Sequence, residues 1–431
     1  MIIKRVINKL NNKEARNASW IIFGKVIQMV IQLVVSILTT RYLGPSNYGT
    51  ITYIAAYTTL FTALCTLGIN FVIVKEFVDN PNEQGETIGT TLVLRTISSA
   101  LSACMIVGIV SIIDRDEPIT ITVAILCSIS LVFSVCDTFN YWFQSKYQSK
   151  VTSISTLVAY VATAIYKVVL LITGKDVRWF AFASSFDFIV LAIILYSVYK
   201  KYGGPELSFS LSKAKYLLSK SYHYILSVMM VAIYGQTDKL MLKQMLDQSQ
   251  VGYYSVATTI CTMWVFILQA IIDSMYPTIM RLNSENNTIA FEKKNKQLYC
   301  IVFYLSVLCS SGICILAPII VKILYGDAFL PAVRPLRIVT WYTAFAYIGV
   351  ARNAWIVCND RQKYLKYLYL ISAVLNVIMN YFLIPSYGPE GAAVATLITQ
   401  FVSTIIIPFF IKDLKPNAKM ICEAIVFNNV K

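Results

Sequence analysis

Long, nearly uncharged apolar runs recur from end to end of this chain, and they restrict its folding more than any other feature. Each holds roughly 20 residues or more, enough as a helix to cross a hydrocarbon core of about 30 Å. Inside lipid the backbone has no water to bond, so a spanning segment must satisfy itself as a helix. Such runs lie at about 18–40, 48–72, 88–113, 119–143, 151–173, 177–199, 222–245, 251–280, 298–325, 331–357, 364–384 and 391–411. The chain therefore reads as an all-α polytopic membrane protein with about twelve transmembrane helices. Charged residues make up 14% of it, where soluble domains hold about 25%.

The formal net charge is +15. Nucleic acid is excluded as the reason, because the basic residues fall in short loops and no soluble basic domain exists. With the N-terminus in the cytoplasm, cytoplasmic segments hold about 24 Lys and Arg and outer ones about 7, a positive-inside bias. Both termini are expected in the cytoplasm. The basic stretch Met1 to Arg16 leads into a full-length run without a small-residue cleavage site, so no cleavable signal peptide is expected. Most of the 10 cysteines lie within apolar runs and none forms a CxxC pair. They read as small buried hydrophobes.

Between the first two runs stands Arg41-Tyr-Leu-Gly-Pro-Ser-Asn-Tyr-Gly49, a hairpin turn built on Gly44-Pro45. Its pattern Leu43-x-x-Ser46-x-x-Gly49 recurs 203 residues later as Leu246-x-x-Ser249-x-x-Gly252, again between two runs. An even number of spans separates the copies, which predicts a parallel repeat of two six-helix lobes. The expected division is an N-terminal lobe at 1–199, a basic linker at 200–220, a C-terminal lobe at 221–412 and a cytoplasmic tail at 413–431. The linker is expected to carry a short amphipathic helix at the membrane surface.

Ionisable residues near a bilayer centre cost about 2.5–3.5 kcal/mol each on insertion scales, so they face a cavity or a partner. Lys25, Gln28, Gln32 and Ser36 share one face of the first span. Arg95 lies in the third span, Asp137 in the fourth, Lys167 in the fifth, Asp187 in the sixth and Arg352 in the tenth. The seventh span carries Tyr234, Asp238 and Lys239. The eighth carries Tyr254, Thr258, Thr262, Gln269 and Asp273. Ser372, Asn376 and Asn380 follow one another at four-residue steps in the eleventh. Any one of these fits an interhelical hydrogen bond or ion pair, Asp137 with Lys167 for example. Together they predict a wide polar cavity between the lobes, made partly cationic by Lys25, Arg41, Arg95, Lys167 and Arg352. Such a cavity favours an anionic substrate, a phosphate or pyrophosphate.

Catalytic constellations are absent from the sequence. Its single histidine, His223, stands alone, and no HExxH, Walker A, nucleophile elbow or Gly-rich dinucleotide motif occurs. The outer loops are too short to fold an active-site domain.

The chain resembles the Wzx-type oligosaccharide flippases, the polysaccharide branch of the multidrug/oligosaccharidyl-lipid/polysaccharide exporter (MOP) superfamily. Four segments carry the resemblance: Arg41 to Gly49; Tyr141-Trp-Phe-Gln144; Thr237-Asp-Lys-Leu-Met-Leu242 with Val251-Gly-Tyr-Tyr254; and Asn380 through Ile384-Pro385, Tyr387-Gly388 and Gly391-Ala-Ala-Val-Ala-Thr396. Thr40 stands where the family usually has Ala, and twelve spans fall below the fourteen of some relatives.

The resemblance implies two six-helix lobes forming a V around a central cavity. It implies flipping of undecaprenyl-pyrophosphate-linked repeat units to the outer leaflet of the bacterial inner membrane, for O-antigen, capsule or exopolysaccharide. A polysaccharide polymerase and a chain-length regulator are the partners that role implies. On this reading Lys25, Arg41, Arg95, Lys167 and Arg352 meet phosphate or sugar, and Gln28, Gln32, Asn376 and Asn380 add polar lining. Asp137, Asp187, Asp238, Lys239 and Asp273 are candidates for charge partners or for coupling to an H⁺ or Na⁺ gradient. No cofactor or metal is expected. A cation or drug antiporter of the same superfamily and a membrane polysaccharide polymerase or ligase stay open as alternatives.

Overall fold

The computed structural model describes residues 13–427, and within them the side chains of residues 13–27, 29, 30 and 227 are not described. Lys25 lies on a helix, with its side chain outside the described residues. The described residues form helices joined by short turns, with no strand among them. In chain order these are α1 (Lys13–Thr66), α2 (Ile73–Asp79), α3 (Gln84–Ile113), α4 (Pro118–Phe133), α5 (Thr138–Ser145), α6 (Ser149–Ile172), α7 (Val177–Lys201) and α8 (Leu211–Met245). There follow α9 (Gln248–Thr262), α10 (Phe266–Ser284), α11 (Thr288–Tyr325), α12 (Val333–Val339), α13 (Tyr342–Cys358), α14 (Leu365–Phe401), α15 (Ile407–Phe410) and α16 (Lys415–Ile425).

Three expected spans are interrupted. A 3-10 turn at Ser134–Asp137 separates α4 from α5. The axis bends by 41° between α9 and α10. Thr340 and Trp341 separate α12 from α13. Two helices, by contrast, hold two expected spans each. Non-helical dihedrals break α1 at Gly44 (φ 71°, ψ 175°) and α14 at Gly388 (φ 57°, ψ −135°). The reversal at Gly388 is direct: a Cβ on Gly391 would lie 2.4 Å from the carbonyl oxygen of Leu383. With α1 and α14 each making two passes and the broken pairs one each, the described helices account for twelve.

The chain divides into two compact units, Met1–Leu43 with Ile54–Ala232 and Gly44–Tyr53 with Ile233–Lys431. The sequence placed the divide in a linker at 200–220 and kept 44–53 with the N-terminal lobe. In the structure the divide falls inside α8.

In the first unit the segment before α8 is held to the start of α3. Ser208 N–H reaches the Gly85 carbonyl at 3.4 Å, and Ser210 N–H reaches Thr90 Oγ1 at 3.1 Å. No separate surface helix forms, because the lysine-rich stretch continues into α8 from Leu211. Lys213 Nζ lies 2.6 Å from both Glu76 and Glu83, so one cation of this stretch is buried in an ion pair. The second arm of α1 runs along the length of α7. Tyr42 donates to the Lys175 carbonyl at 3.1 Å, in the turn before α7. Past the second arm, Ile69, Ile73 and Phe77 pack with Trp142, Phe143 and Tyr199, at the other end of α7. At 1.5 Å per residue α7 separates those ends by about 37 Å. Trp142 Nε1 donates to Gln84 Oε1 at 3.0 Å, and Gln84 donates to the Phe77 carbonyl at 2.8 Å.

In the second unit the segment 44–53 packs on α9, and the two copies of the repeat motif meet there. A Cβ on Gly49 would lie 1.7 Å from Gln248 O, and one on Gly252 would lie 2.2 Å from Pro45 O. Pro45 and Gln248 are equivalent positions of the repeat, as are Gly49 and Gly252, so the contact is reciprocal. Only glycine allows so close a backbone approach. Asp247 caps α9 by accepting from Ser249 N–H at 2.7 Å.

The expected tail is a docked helix over its described length. α16 buries Ala418, Ile421 and Ala424. Asn417 donates to Tyr299 of α11 at 2.7 Å, and Lys296 pairs with Glu423 at 2.5 Å.

Candidate functional site

Four elements of the second unit converge on one carboxylate. Asp238 projects from α8, Tyr254 from α9, and Asn380 and Thr396 from the two arms of α14. Asn380 Nδ2 donates to Asp238 Oδ1 at 2.7 Å, Thr396 Oγ1 donates to Oδ2 at 2.5 Å, and the Tyr254 hydroxyl donates to Oδ2 as well. Asp238, Tyr254, Asn380 and Thr396 are all buried. Asn380 Nδ2 also donates to Asn376 Oδ1 at 3.1 Å. A buried carboxylate is tolerated only where donors replace its hydration, and here neutral donors supply that.

Beside the carboxylate lies a cavity of about 310 Å³. Its walls carry Tyr234, Tyr254 and Tyr342, the threonines 258, 259, 262 and 396, and Asp238 with Lys239. Thr258, Thr259 and Thr262 donate to carbonyls one turn back at 3.1, 2.7 and 2.9 Å. Their oxygen lone pairs stay free as acceptors. Asn380 Oδ1 has no hydrogen-bond partner among the described residues. This is a hard oxygen set around one negative charge, suited to a proton or a small monovalent cation. No group of three or more His, Cys, Asp or Glu side chains gathers among the described residues.

Of the residues singled out in the sequence, Asp238, Lys239, Asn376 and Asn380 come together here. Asp273 does not; it is exposed and accepts from Gln269 of its own helix at 2.8 Å. Arg352, in the same unit, is 6% exposed and outside this cavity. Its Nη1 reaches the Thr404 carbonyl at 3.4 Å, in the π-helical turn Val402–Ile406, and its Nε has no partner among the described residues.

In the first unit Arg95 is 3% exposed and donates to Thr138 Oγ1 at 3.1 Å and to the Ser134 carbonyl at 3.3 Å. It therefore holds the interruption between α4 and α5. The suggested Asp137–Lys167 pair does not form. Asp137 accepts from Asn140, three residues on. The acidic neighbour of Lys167 is Asp187, which accepts from Thr163 at 3.0 Å. Gln28 is half-buried, and Gln32 and Arg41 are exposed.

Sequence reasoning missed Tyr342 and Thr259, and it quoted Thr396 only within a motif. Thr396 is the one polar side chain in Gly391-Ala-Ala-Val-Ala-Thr396, and that isolation is the signal that marks it.

A family model described as polysaccharide biosynthesis protein matches residues 15–283. The chain belongs to that family. Among curated relatives, it is 26% identical over 210 residues to the probable low-salt glycan biosynthesis flippase Agl15 of Haloferax volcanii, covering 48% of this chain and 44% of that protein. Against the capsular polysaccharide biosynthesis protein CapF of Staphylococcus aureus it is 19% identical over 413 residues, 93% and 99% of the two chains. Among solved structures, the lipid II flippase MurJ in an inward closed conformation superposes with a TM-score of 0.71 at 13% identity, covering 94% and 90%. An inward-facing multidrug resistance MATE transporter of the MOP superfamily gives 0.68 at 14% identity, covering 94% and 99%. The fold is thus the one shared by the MurJ and MATE structures, a multi-pass bundle of helices.

Within the family fold, the motifs have separate work. Trp142 and Phe143 of Tyr141-Trp-Phe-Gln144 are core residues of the first unit. Asp238, Tyr254, Asn380 and Thr396, from the third and fourth of the four segments, build the polar site.

Proposed function

We propose that this protein flips undecaprenyl-pyrophosphate-linked oligosaccharide units from the cytoplasmic to the outer leaflet of the bacterial inner membrane. They would supply O-antigen, capsule or exopolysaccharide assembly, with a polymerase and a chain-length regulator acting next. Membership of the polysaccharide family supports the substrate class, and the transporter fold supports movement without covalent chemistry. The observation that carries the reading is the hydroxyl-rich cavity around a buried carboxylate, inside a bundle of membrane-length helices. Apolar cargo has no use for such a wall.

Asp238 is the proposed coupling group. Uptake of H⁺ or Na⁺ would neutralise it and release Tyr254, Thr396 and Asn380 to new partners, so that occupancy biases the conformation of α8 against α14. The outward direction is part of the proposal and rests on the likeness to flippases; the positive-inside count supports placing both termini in the cytoplasm. The antiporter alternative would make Asp238 the ligand for an organic cation. Three donors already cover that carboxylate, which favours a small ion.

The test is deletion of the gene in its host, with lipid-linked units assayed by leaflet. Accumulation of complete units on the cytoplasmic side supports flipping. Accumulation on the outer side, unpolymerised, assigns the protein to polymerisation instead.

A further inference from the structure

We propose that the cavity between α8 and α9 receives an acidic sugar ring of the cargo glycan, with Lys239 pairing with its carboxylate; this rests on the flippase reading above. The volume, about 310 Å³, stands at the small end of the roughly 300–1,000 Å³ usual for ligand pockets. It has room for a ring and not for a repeat unit.

The wall chemistry is that of a polyol site. Tyr254 and Tyr342 line it, and aromatic rings suit the C–H face of a pyranose. Thr258, Thr259 and Thr262 have spent their protons on backbone carbonyls, so their oxygens accept from ligand hydroxyls.

The charge is decided by two adjacent residues. Asp238 is engaged on both oxygens, and it makes no ion pair with Lys239 among the described residues. Both line the cavity wall, their side chains diverging by about 100° as successive residues of one helix do. Lys239 is half-buried, lines the cavity and has no hydrogen bond or ion pair among the described residues. The Asp238 charge offsets part of the cost of partly desolvating the Lys239 ammonium, and a ligand carboxylate would supply the hydrogen-bonded partner that Asp238, engaged by its own donors, does not. A pyrophosphate fits less well. It would set several negative charges against one ammonium, beside Asp238 and at the carbonyl end of α9.

The purified full-length protein is titrated calorimetrically with a glucuronate-containing disaccharide, its carboxyl-reduced neutral counterpart and inorganic pyrophosphate. The acidic sugar should bind about tenfold more tightly than the neutral one, the scale of one charge-assisted hydrogen bond. Lys239→Gln should bring that ratio close to one, Lys239→Arg should keep most of it, and Thr258→Val should weaken both sugars alike. Equal binding of the two sugars by the wild type, no binding of either, or an unchanged ratio in Lys239→Gln overturns the proposal. Pyrophosphate bound more tightly than either sugar, and lost in Lys239→Gln, reassigns the cavity to the lipid headgroup. Should Lys239→Gln fail to fold, the wild-type ratio and the Arg and Val variants still decide. Flipping of a labelled lipid-linked oligosaccharide by the same preparation separates the two ideas. Sugar preference without flipping removes the transport reading alone, and flipping without preference removes the acidic-sugar reading alone.

Discussion

Ser255 donates a hydrogen bond to Thr52 at 3.1 Å across a separation of 203 residues. That separation is the offset of the repeat, so the two hydroxyls are equivalent positions meeting face to face. One turn away Gly49 and Gly252 lie against Gln248 and Pro45. A local two-fold therefore runs between the Thr52 and Ser255 hydroxyls. The expectation for Gly49→Ala follows directly. The new methyl would fall within 1.7 Å of a backbone oxygen, and the whole helix must move to admit it. Overpacking of this kind costs about 1–3 kcal/mol. A melting temperature in detergent lowered by several degrees checks this, and Gly252→Ala should fall similarly. The double variant should cost less than the two singles together, since both press on one interface.

The Glu76–Lys213–Glu83 cluster predicts an acid limit to stability. Burial works against the Glu76 carboxylate, yet hydrogen bonds from Lys213 and Asn80 and the Lys213 charge outweigh it and hold the carboxyl below its ordinary 4.5. Glu76 contributes stability in full above pH 4.5 and loses it as the pH falls through the lower folded value. Lys213→Met leaves the buried Glu76 with the Asn80 hydrogen bond but without its cation. The folded pKa then rises toward the unfolded one, and the pH dependence in that window flattens. We expect a loss of about 3 kcal/mol at pH 7, the low end for a broken buried pair, because Glu83 is exposed. Thermal melts from pH 3 to pH 8 read both effects.

Arg352 is a buried cation with little to hold it. Its guanidinium is 6% exposed, holds one long hydrogen bond to Thr404 and leaves Nε unpartnered. Arg352→Met fills the same space without burying a charge. We expect a melting temperature a few degrees higher with surface polysaccharide abolished. Full polysaccharide in this variant would show that the arginine is dispensable for transport.

Much of this was legible in the sequence, for identifiable reasons. The apolar runs give the passes, because lipid permits only self-satisfied helices. The site in the second unit was legible because Asp238, Asn376 and Asn380 are expensive inside a membrane and keep helical spacing. The interruptions at Ser134–Asp137 and Thr340–Trp341 were not legible. They contain no glycine or proline, and tertiary partners such as Arg95 hold the first of them. The burial of Arg95 and Arg352 was equally hidden, since periodicity shows that a charge shares a face and not whether that face meets a cavity or a neighbouring helix. The stretch at 200–220 read as a linker with a surface helix because the carboxylate partners of Lys213 lie about 130 residues upstream.

The most direct measurement is flipping of a fluorescent undecaprenyl-pyrophosphate oligosaccharide in proteoliposomes, with and without an imposed H⁺ or Na⁺ gradient. Asp238→Asn keeps the acceptor toward Asn380 and the shape of the site while removing its charge. The wild type should flip faster under one of the two gradients, and Asp238→Asn should lose that acceleration while melting within a few degrees of the wild type. An Asp238→Asn protein that still responds to the gradient as the wild type does would contradict the account.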